Sequence, residues 1–140
     1  MKVGTVIRIP IENHFVLAKV IWLSEMIDKG MGFVIYPELY KENESPIIKE
    51  QPYKDINIYS GAIKVLYSTT DNVENGDWIE VGELSLSDQD EELLIHNIGG
   101  VLYQGDCKLE NQENINQYPK LLNAGVKAVE NMIKAAFNIN

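Results

Sequence analysis

The stretch VGTVIRIPIENHFVLAKVIWL (residues 3–23) decides the fold of this chain. Its first part, Val3–Ile9, is rich in β-branched residues and precedes Pro10, which cannot donate a ladder hydrogen bond, so we expect a strand that ends there. A short Ile-Glu-Asn turn follows, and His14–Leu23 is the longest apolar run of the chain. Only Lys19 interrupts this run, and we expect its side chain to reach solvent.

The two faces of the second strand are both apolar. One face carries Phe15, Leu17, Ile21 and Leu23, and the other carries Val16, Ala18, Val20 and Trp22. Because successive side chains of a strand point to opposite faces, this pattern predicts a strand that is covered on both sides, as in a sandwich or a curled barrel.

Further strand signals follow along the chain. They are residues 32–36 after a turn at Asp28–Gly32, then Ile56–Tyr59, Ala62–Ser68, Asp77–Val81, Leu93–Ile95 and Gly100–Tyr103. Thr69–Gly76 ends in Asn-Gly and is interpreted as a hairpin connection. Residues 38–55 are polar, contain two prolines and are interpreted as the longest loop.

The C-terminal part of the chain has helical periodicity. Apolar residues recur at steps of three and four at Leu122, Val126, Val129, Ile133 and Phe137. The spacing predicts a helix over about 119–137, with Pro119 in its first turn and Gly125 in its interior. We therefore expect one α+β domain over 1–140, β-rich over 1–110. Its mainly antiparallel sheet would be strongly curved or form a partial barrel, with one C-terminal helix packed on it.

The formal charge of −9 lies in one segment. Residues 65–107 contain ten carboxylates and no Lys or Arg, whereas the rest of the chain is close to neutral. A concentrated negative field repels nucleic acid and steers association with a basic protein surface. The densest part is SDQDEE (residues 87–92), which lacks the ligand spacing of a calcium loop and is either a solvated loop or a contact surface for a basic partner.

Candidate partner-binding residues come from this acidic run and from the GDWIEVGEL stretch (76–84). They are Asp77, Trp78, Glu80, Asp88, Asp90, Glu91 and Glu92. Trp78 between two carboxylates is either a strand residue of the core or an interface anchor of the kind that dominates binding hot spots.

Several classes of function are disfavoured by composition. Cys107 is the only cysteine and there are two histidines, so we expect no zinc site, no other metal and no cofactor. No basic patch with interleaved aromatic residues is present, which argues against nucleic-acid binding. No apolar run approaches the roughly 20 residues that span a bilayer, and no signal-peptide pattern opens the chain, so we expect a cytoplasmic protein without a membrane role.

Two stretches resemble the immunity protein 26 group, which is implicated in neutralising polymorphic toxins delivered between bacteria. The matching positions are Gly4, Ile9, Pro10, Ala18 and Val20, then Trp78, Gly82 and Leu84. The resemblance extends over residues 2–23 and 76–105 and departs at Lys19, where a small residue is common. It implies a non-enzymatic protein that binds a cognate toxin, and an acidic inhibitor suits a basic nuclease toxin domain.

Two other classes of function stay open at this point. The chain could be a small enzyme or ligand-binding barrel that uses carboxylates in a concavity. It could also be a subunit of a larger assembly formed through the C-terminal helix, which requires Leu122, Val126 and Val129 to be exposed.

Overall fold

The structure is a computed structural model, and it describes residues 1–58, 61–122 and 124–139. Strands β1 (Thr5–Ile11) and β2 (His14–Leu23) form an antiparallel hairpin in which Ile11 pairs with His14. The connection is two residues long, and Glu12 adopts a φ of +56° there. β1 continues through Pro10, contrary to the expectation that it ends there. Pro10 is tolerated because β8 (Ile79–Glu83), the neighbour of β1 on the side away from β2, pairs only with Thr5–Arg8. The missing N–H of Pro10 therefore costs no hydrogen bond on that side.

The main sheet is antiparallel at every pairing. Its order is β7-β3-β2-β1-β8, where β3 is Gly30–Ile35, β7 is Val65–Thr69 and β8 is Ile79–Glu83, and the short β4 (Tyr40–Lys41) pairs with the start of β2. The sheet is not closed, because β7 and β8 end it and do not pair with each other. The expectation of a mainly antiparallel α+β fold with a C-terminal helix is confirmed.

Both faces of β2 are buried, as its apolar pattern predicts. Val16, Ala18 and Val20 pack into one hydrophobic cluster, and Phe15 and Leu17 pack into a second cluster on the opposite face. The predicted alternation fails at the end of the strand. A bulge between Val20 and Trp22 leaves Ile21 unpaired, so Trp22 joins the second cluster and Leu23 packs against the first.

Helix α3 (Val126–Ala136) covers the first cluster with the fully buried Val129 and Ile133. It begins at Val126 and not near 119, because the preceding residues pair with strands. Pro119 O accepts a hydrogen bond from Asn97 N at 2.8 Å, and Ala124 N donates to Tyr67 O at 3.1 Å. Gly125 is the N-cap residue rather than an interior one.

The remaining elements are short. They are β5 (Ile56–Ile58), β6 (Gly61–Ile63), α1 (Asp71–Glu74), α2 (Asp88–Leu93), β9 (Ile95–Ile98), β10 (Val101–Gln104), β11 (Cys107–Lys108) and a 3₁₀ turn at Ile115–Gln117. Residues 42–55 carry no regular element, as expected for the longest loop.

Several predicted boundaries are wrong. The predicted strand Ala62–Ser68 is divided at Lys64 into β6 and β7. The predicted strand Leu93–Ile95 instead contains the last residue of α2 and the first residue of β9. The predicted hairpin connection at Thr69–Gly76 contains α1. Tyr59, the predicted end of a strand, lies outside the described residues.

Candidate partner-binding surface

The acidic segment folds into the part of the chain from β7 to the start of β11. Eight of its ten carboxylates are exposed: Asp71, Glu74, Asp77, Glu80, Glu83, Asp88, Glu91 and Glu92. Asp106 is half-buried and Asp90 is fully buried. Five of the seven predicted partner-binding residues therefore lie at the surface, and Trp78 and Asp90 do not.

Trp78 lies in the core and is not a surface anchor. Its side chain has no exposed area, and its ring meets the ring of Phe33 edge-on with centroids 5.5 Å apart. Trp78 immediately precedes β8, and its backbone N–H donates to Asn72 O at 2.9 Å, which ties this position to α1. The apolar indole is therefore buried while its acidic neighbours Asp77 and Glu80 face solvent.

Helix α2 carries the acidic run that we interpreted as a solvated loop or a contact surface. Ser87 caps the helix: its hydroxyl accepts from Asp90 N at 3.2 Å, and the Asp90 carboxylate accepts from Ser87 N at 2.9 Å. This reciprocal pair is a capping box, and the sequence signal was Ser87 followed three residues later by an acidic residue. The cap turns Asp90 inward and leaves Asp88, Glu91 and Glu92 exposed.

Asp90 forms a buried ion pair with Lys19. The distance from Lys19 Nζ to Asp90 Oδ2 is 2.6 Å, and both side chains are inaccessible to solvent. The expectation that Lys19 reaches solvent is therefore wrong, because its ammonium group finds its charge partner inside the fold. The ammonium group also donates a hydrogen bond to Ser85 O at 3.2 Å.

Residues of the long loop complete this network. Lys19 Nζ donates to Glu50 Oε2 at 2.9 Å, and Tyr36 OH donates to the other oxygen of Glu50 at 3.0 Å. Tyr53 OH donates to Asp90 Oδ1 at 2.5 Å. The network thus joins β2, α2 and the loop 42–55 on one face of the main sheet.

The pKa shifts of the pair keep both groups charged at neutral pH. Burial alone lowers the pKa of Lys19, but the hydrogen bonds to Asp90 and its other neighbours outweigh this and raise the pKa. Burial likewise favours neutral Asp90, yet the hydrogen bonds from Lys19 and Tyr53 hold the pKa of Asp90 below its usual value. An inaccessible pair that stays charged acts as a tether between elements and offers no proton to an external substrate.

Strand β8 presents an open edge beside these acids. All five of its residues are exposed, and Ile79 and Val81 are 58% and 39% accessible although they are apolar. Within the described ranges, β1 is the only strand that pairs with β8. The sequence interpretation missed both apolar residues, whose signal was the alternation of Ile79 and Val81 with Glu80 and Gly82.

The face of β8 is partly covered even though its edge is open. A Cβ atom on Gly82 would lie 3.0 Å from Ile48 Cγ1, so the loop residue Ile48 packs closely over this position. Two carboxylates of the strand have a cation nearby: Glu83 pairs with Lys2 at 2.9 Å, and Glu80 lies 3.8 Å from the amino group of Met1.

A separate open groove of about 730 Å³ lies between the β5–β6 hairpin, the end of α2 and the 3₁₀ turn. Its lining includes the carboxylates of Asp55 and Glu92 and the apolar side chain of Leu122, which is 70% exposed. Asp55 is paired with Lys64 at 2.5 Å.

The part of the chain that the structure describes contains no group of three or more His, Cys, Asp or Glu residues placed to hold a metal ion. None of its helices combines the length and apolar character that crossing a membrane requires. No family model, curated protein or solved structure matches the chain.

Proposed function

We propose that this chain is an immunity protein that binds a cognate bacterial toxin domain and neutralises it. The observation that carries the proposal is the exposure of eight carboxylates in a segment without Lys or Arg. Such a surface attracts a basic partner and accelerates the encounter with it. The partner-binding residues are then Asp77, Glu80, Asp88, Glu91 and Glu92, supported from beneath by the buried Asp90.

The same charge guides the choice of partner. A nuclease domain carries a positive field that attracts phosphate, and a dense carboxylate surface can occupy that field. We therefore propose a basic toxin domain as the partner, no direct binding to nucleic acid, no cofactor and no reaction catalysed by this chain. Strong curvature of the main sheet, which the sequence favours, belongs to this proposal because it would present the acidic elements on a convex side. A cytoplasmic location also belongs to it.

Titration calorimetry with the toxin C-terminal domain encoded beside this chain tests the proposal. We expect tight binding at about 50 mM salt and weaker binding at about 300 mM, because screening shortens the reach of exposed charges. Glu91→Gln with Glu92→Gln should slow association at low salt. Glu110→Gln with Glu113→Gln removes the same charge outside the acidic segment and should change the association rate less. Absence of binding at both salt concentrations would refute the immunity function.

A ligand-binding function is the second candidate, and the groove beside α2 favours it. Its volume falls within the usual range of small-molecule sites, and it combines apolar side chains with two carboxylates. The assembly hypothesis loses its main support, because Val129 is fully buried and Val126 is half-buried against the sheet. Only Leu122 of its three marker residues is exposed.

A further inference from the structure

The two edge strands of the main sheet, β7 and β8, differ in whether the outer side of their backbone has hydrogen-bond partners. At the β7 end, Ala124 N donates to Tyr67 O at 3.1 Å and Ser68 Oγ donates to Ala124 O at 2.5 Å, so a segment of the chain covers that edge. At the β8 end, no described residue pairs with the strand on its outer side. An uncovered strand edge is a row of hydrogen-bonding groups that can pair with another chain.

The side chains of β8 add an apolar attraction to this edge. Ile79 and Val81 are β-branched residues, which favour paired strands, and both are exposed. Val81 is the bulged residue of the strand, because Gly82 pairs with Val6 and Glu80 pairs with Ile7. A bulge at an edge redirects a side chain, and the carboxylates of Glu80 and Glu83 flank it.

The charge around the edge selects among possible occupants. Residues 71–83 contain five carboxylates and no Lys or Arg. Cations from elsewhere in the chain neutralise part of this charge: Lys2 pairs with Glu83, the Met1 amino group lies near Glu80, and Lys29 pairs with Asp71 and Glu74. The five carboxylates still exceed these three cations by two. Pairing of β8 with β8 of a second copy would place Glu80 of one copy within about 8 Å of Glu80 of the other, where like charges repel even at physiological salt. A segment that carries Lys or Arg would meet opposite charges along the same ladder.

From this combination we propose that β8 accepts an extended, Lys- or Arg-containing segment of a partner protein as an added strand of the main sheet. Backbone hydrogen bonds supply the pairing, Ile79 and Val81 supply apolar contacts, and Glu80 and Glu83 select for the basic sequence. This inference rests on the proposed function in one respect: the toxin domain supplies the segment.

The test uses the whole chain and a synthetic peptide of alternating lysine and valine as the probe. At about 1 mM peptide, a concentration that detects even weak association, we expect amide NMR shifts and slowed hydrogen exchange concentrated at Ile79–Glu83. The same peptide with its backbone N-methylated along one edge cannot complete a ladder and should bind at least about tenfold more weakly. Equal binding of the two peptides, or shifts confined to α2 or the groove, would overturn the inference.

Variants separate the edge from the acidic surface. Ile79→Thr with Val81→Thr keeps the charge and β-propensity of the strand. We expect this double variant to bind the lysine–valine peptide at least about fivefold more weakly. Asp88→Asn with Glu91→Gln removes two charges on α2 and should reduce the affinity for the peptide less. Unchanged peptide affinity in the threonine variant would argue against an apolar role of the edge.

The toxin domain distinguishes the two proposals. If it binds the threonine variant as tightly as the unaltered chain, the immunity function stands and the edge inference fails. If the peptide binds at β8 while the toxin domain binds nowhere, strand addition at β8 stands, and the immunity function fails together with the assignment of the segment to the toxin domain.

Discussion

Lys19 lies in the middle of the most apolar strand, and its ammonium group is neutralised entirely by groups within the fold. The 2.6 Å contact with Asp90 and the 2.9 Å contact with Glu50 replace the water that burial removes. Such a pair adds little net stability compared with apolar residues, but removal of one partner leaves a buried charge without compensation. The sequence could not reveal this pair, because Asp90 is far along the chain and looks like its exposed acidic neighbours.

We predict that Lys19→Met destabilises the fold by about 3–5 kcal/mol, because it leaves the Asp90 carboxylate buried without a charge partner. Urea unfolding measures the loss. In the double variant Lys19→Met with Asp90→Asn, the cost should be clearly smaller than the sum of the two single costs. Lys29→Met is the control, because Lys29 pairs with Asp71 at an exposed site. The urea midpoint of this variant should stay close to that of the unaltered chain. Additive costs in the Lys19 and Asp90 cycle would contradict the coupling.

His96 gives the stability a pH dependence. Burial lowers the pKa of His96 below its ordinary value of 6.5, and its Nε2 lies 2.9 Å from Gly105 O. As pH falls below 6.5, the unfolded chain binds a proton before the folded one does, so acidification lowers the free energy of unfolding.

We therefore expect the free energy of unfolding to rise with pH below 6.5 and to flatten above that value. Urea titrations across this range should show a smaller slope for His96→Gln, which has no titrating ring. If the two slopes are equal, the histidine contributes nothing to the pH dependence.

At the scale of elements, local patterns predicted the strands that have two buried faces and failed where distant residues decide the boundaries. β1 and β2 are predictable because β1 is rich in β-branched residues and β2 is a continuous apolar run that only Lys19 interrupts. The start of α3 is not, because Leu121 and Leu122 fit a helical stripe, yet Leu121 N donates to Asn97 O at 2.8 Å. The capping box of α2 was readable from Ser87 and Asp90, but a run of acids favoured the loop interpretation.

Gly4 fixes the entry into β1 and the contact with the end of β8. Its φ is +93°, its N–H donates to Val20 O at 2.7 Å, and its carbonyl accepts from Leu84 N at 2.8 Å. A Cβ atom at this position would collide with the carbonyl oxygen of Leu84. The glycine is therefore required both by the backbone conformation and by the close approach of the two strands.

We predict that Gly4→Ala costs clearly more stability than Gly76→Ala. Gly76 has a similar φ of +87° but open space around its Cα, so its substitution carries only the strain of the backbone, about 1–2 kcal/mol. Thermal unfolding of the two variants isolates the cost of the collision with Leu84. Equal losses would indicate that the strands separate without cost.

The apolar face of α3 allows a second comparison of the same kind. Ile133 is fully buried in the first cluster and Asn131 is exposed on the same helix. We expect Ile133→Ala to cost about 2–5 kcal/mol in urea unfolding, because it removes buried methylene groups and leaves a cavity. Asn131→Ala should leave the midpoint nearly unchanged. A small loss at Ile133 would mean that the helix is not tightly packed on the sheet.

At the scale of the whole molecule, the concentration of acids was predictable from the sequence, and its division into exposed and buried members was not. Composition alone locates the ten carboxylates. Only the fold separates Asp90, which clamps α2 onto β2, from Glu91 and Glu92, which face solvent. A charge-neutralising scan of residues 88–92 that includes Asp90 therefore reports on folding as well as on binding.

The asymmetry between the two ends of the main sheet sets a limit on assembly. Ala124 bonds to the outer edge of β7, and among the described residues no strand pairs with the outer edge of β8. The main sheet can therefore accept one added strand, at β8. We therefore expect complexes formed by strand addition at β8 to have one-to-one stoichiometry.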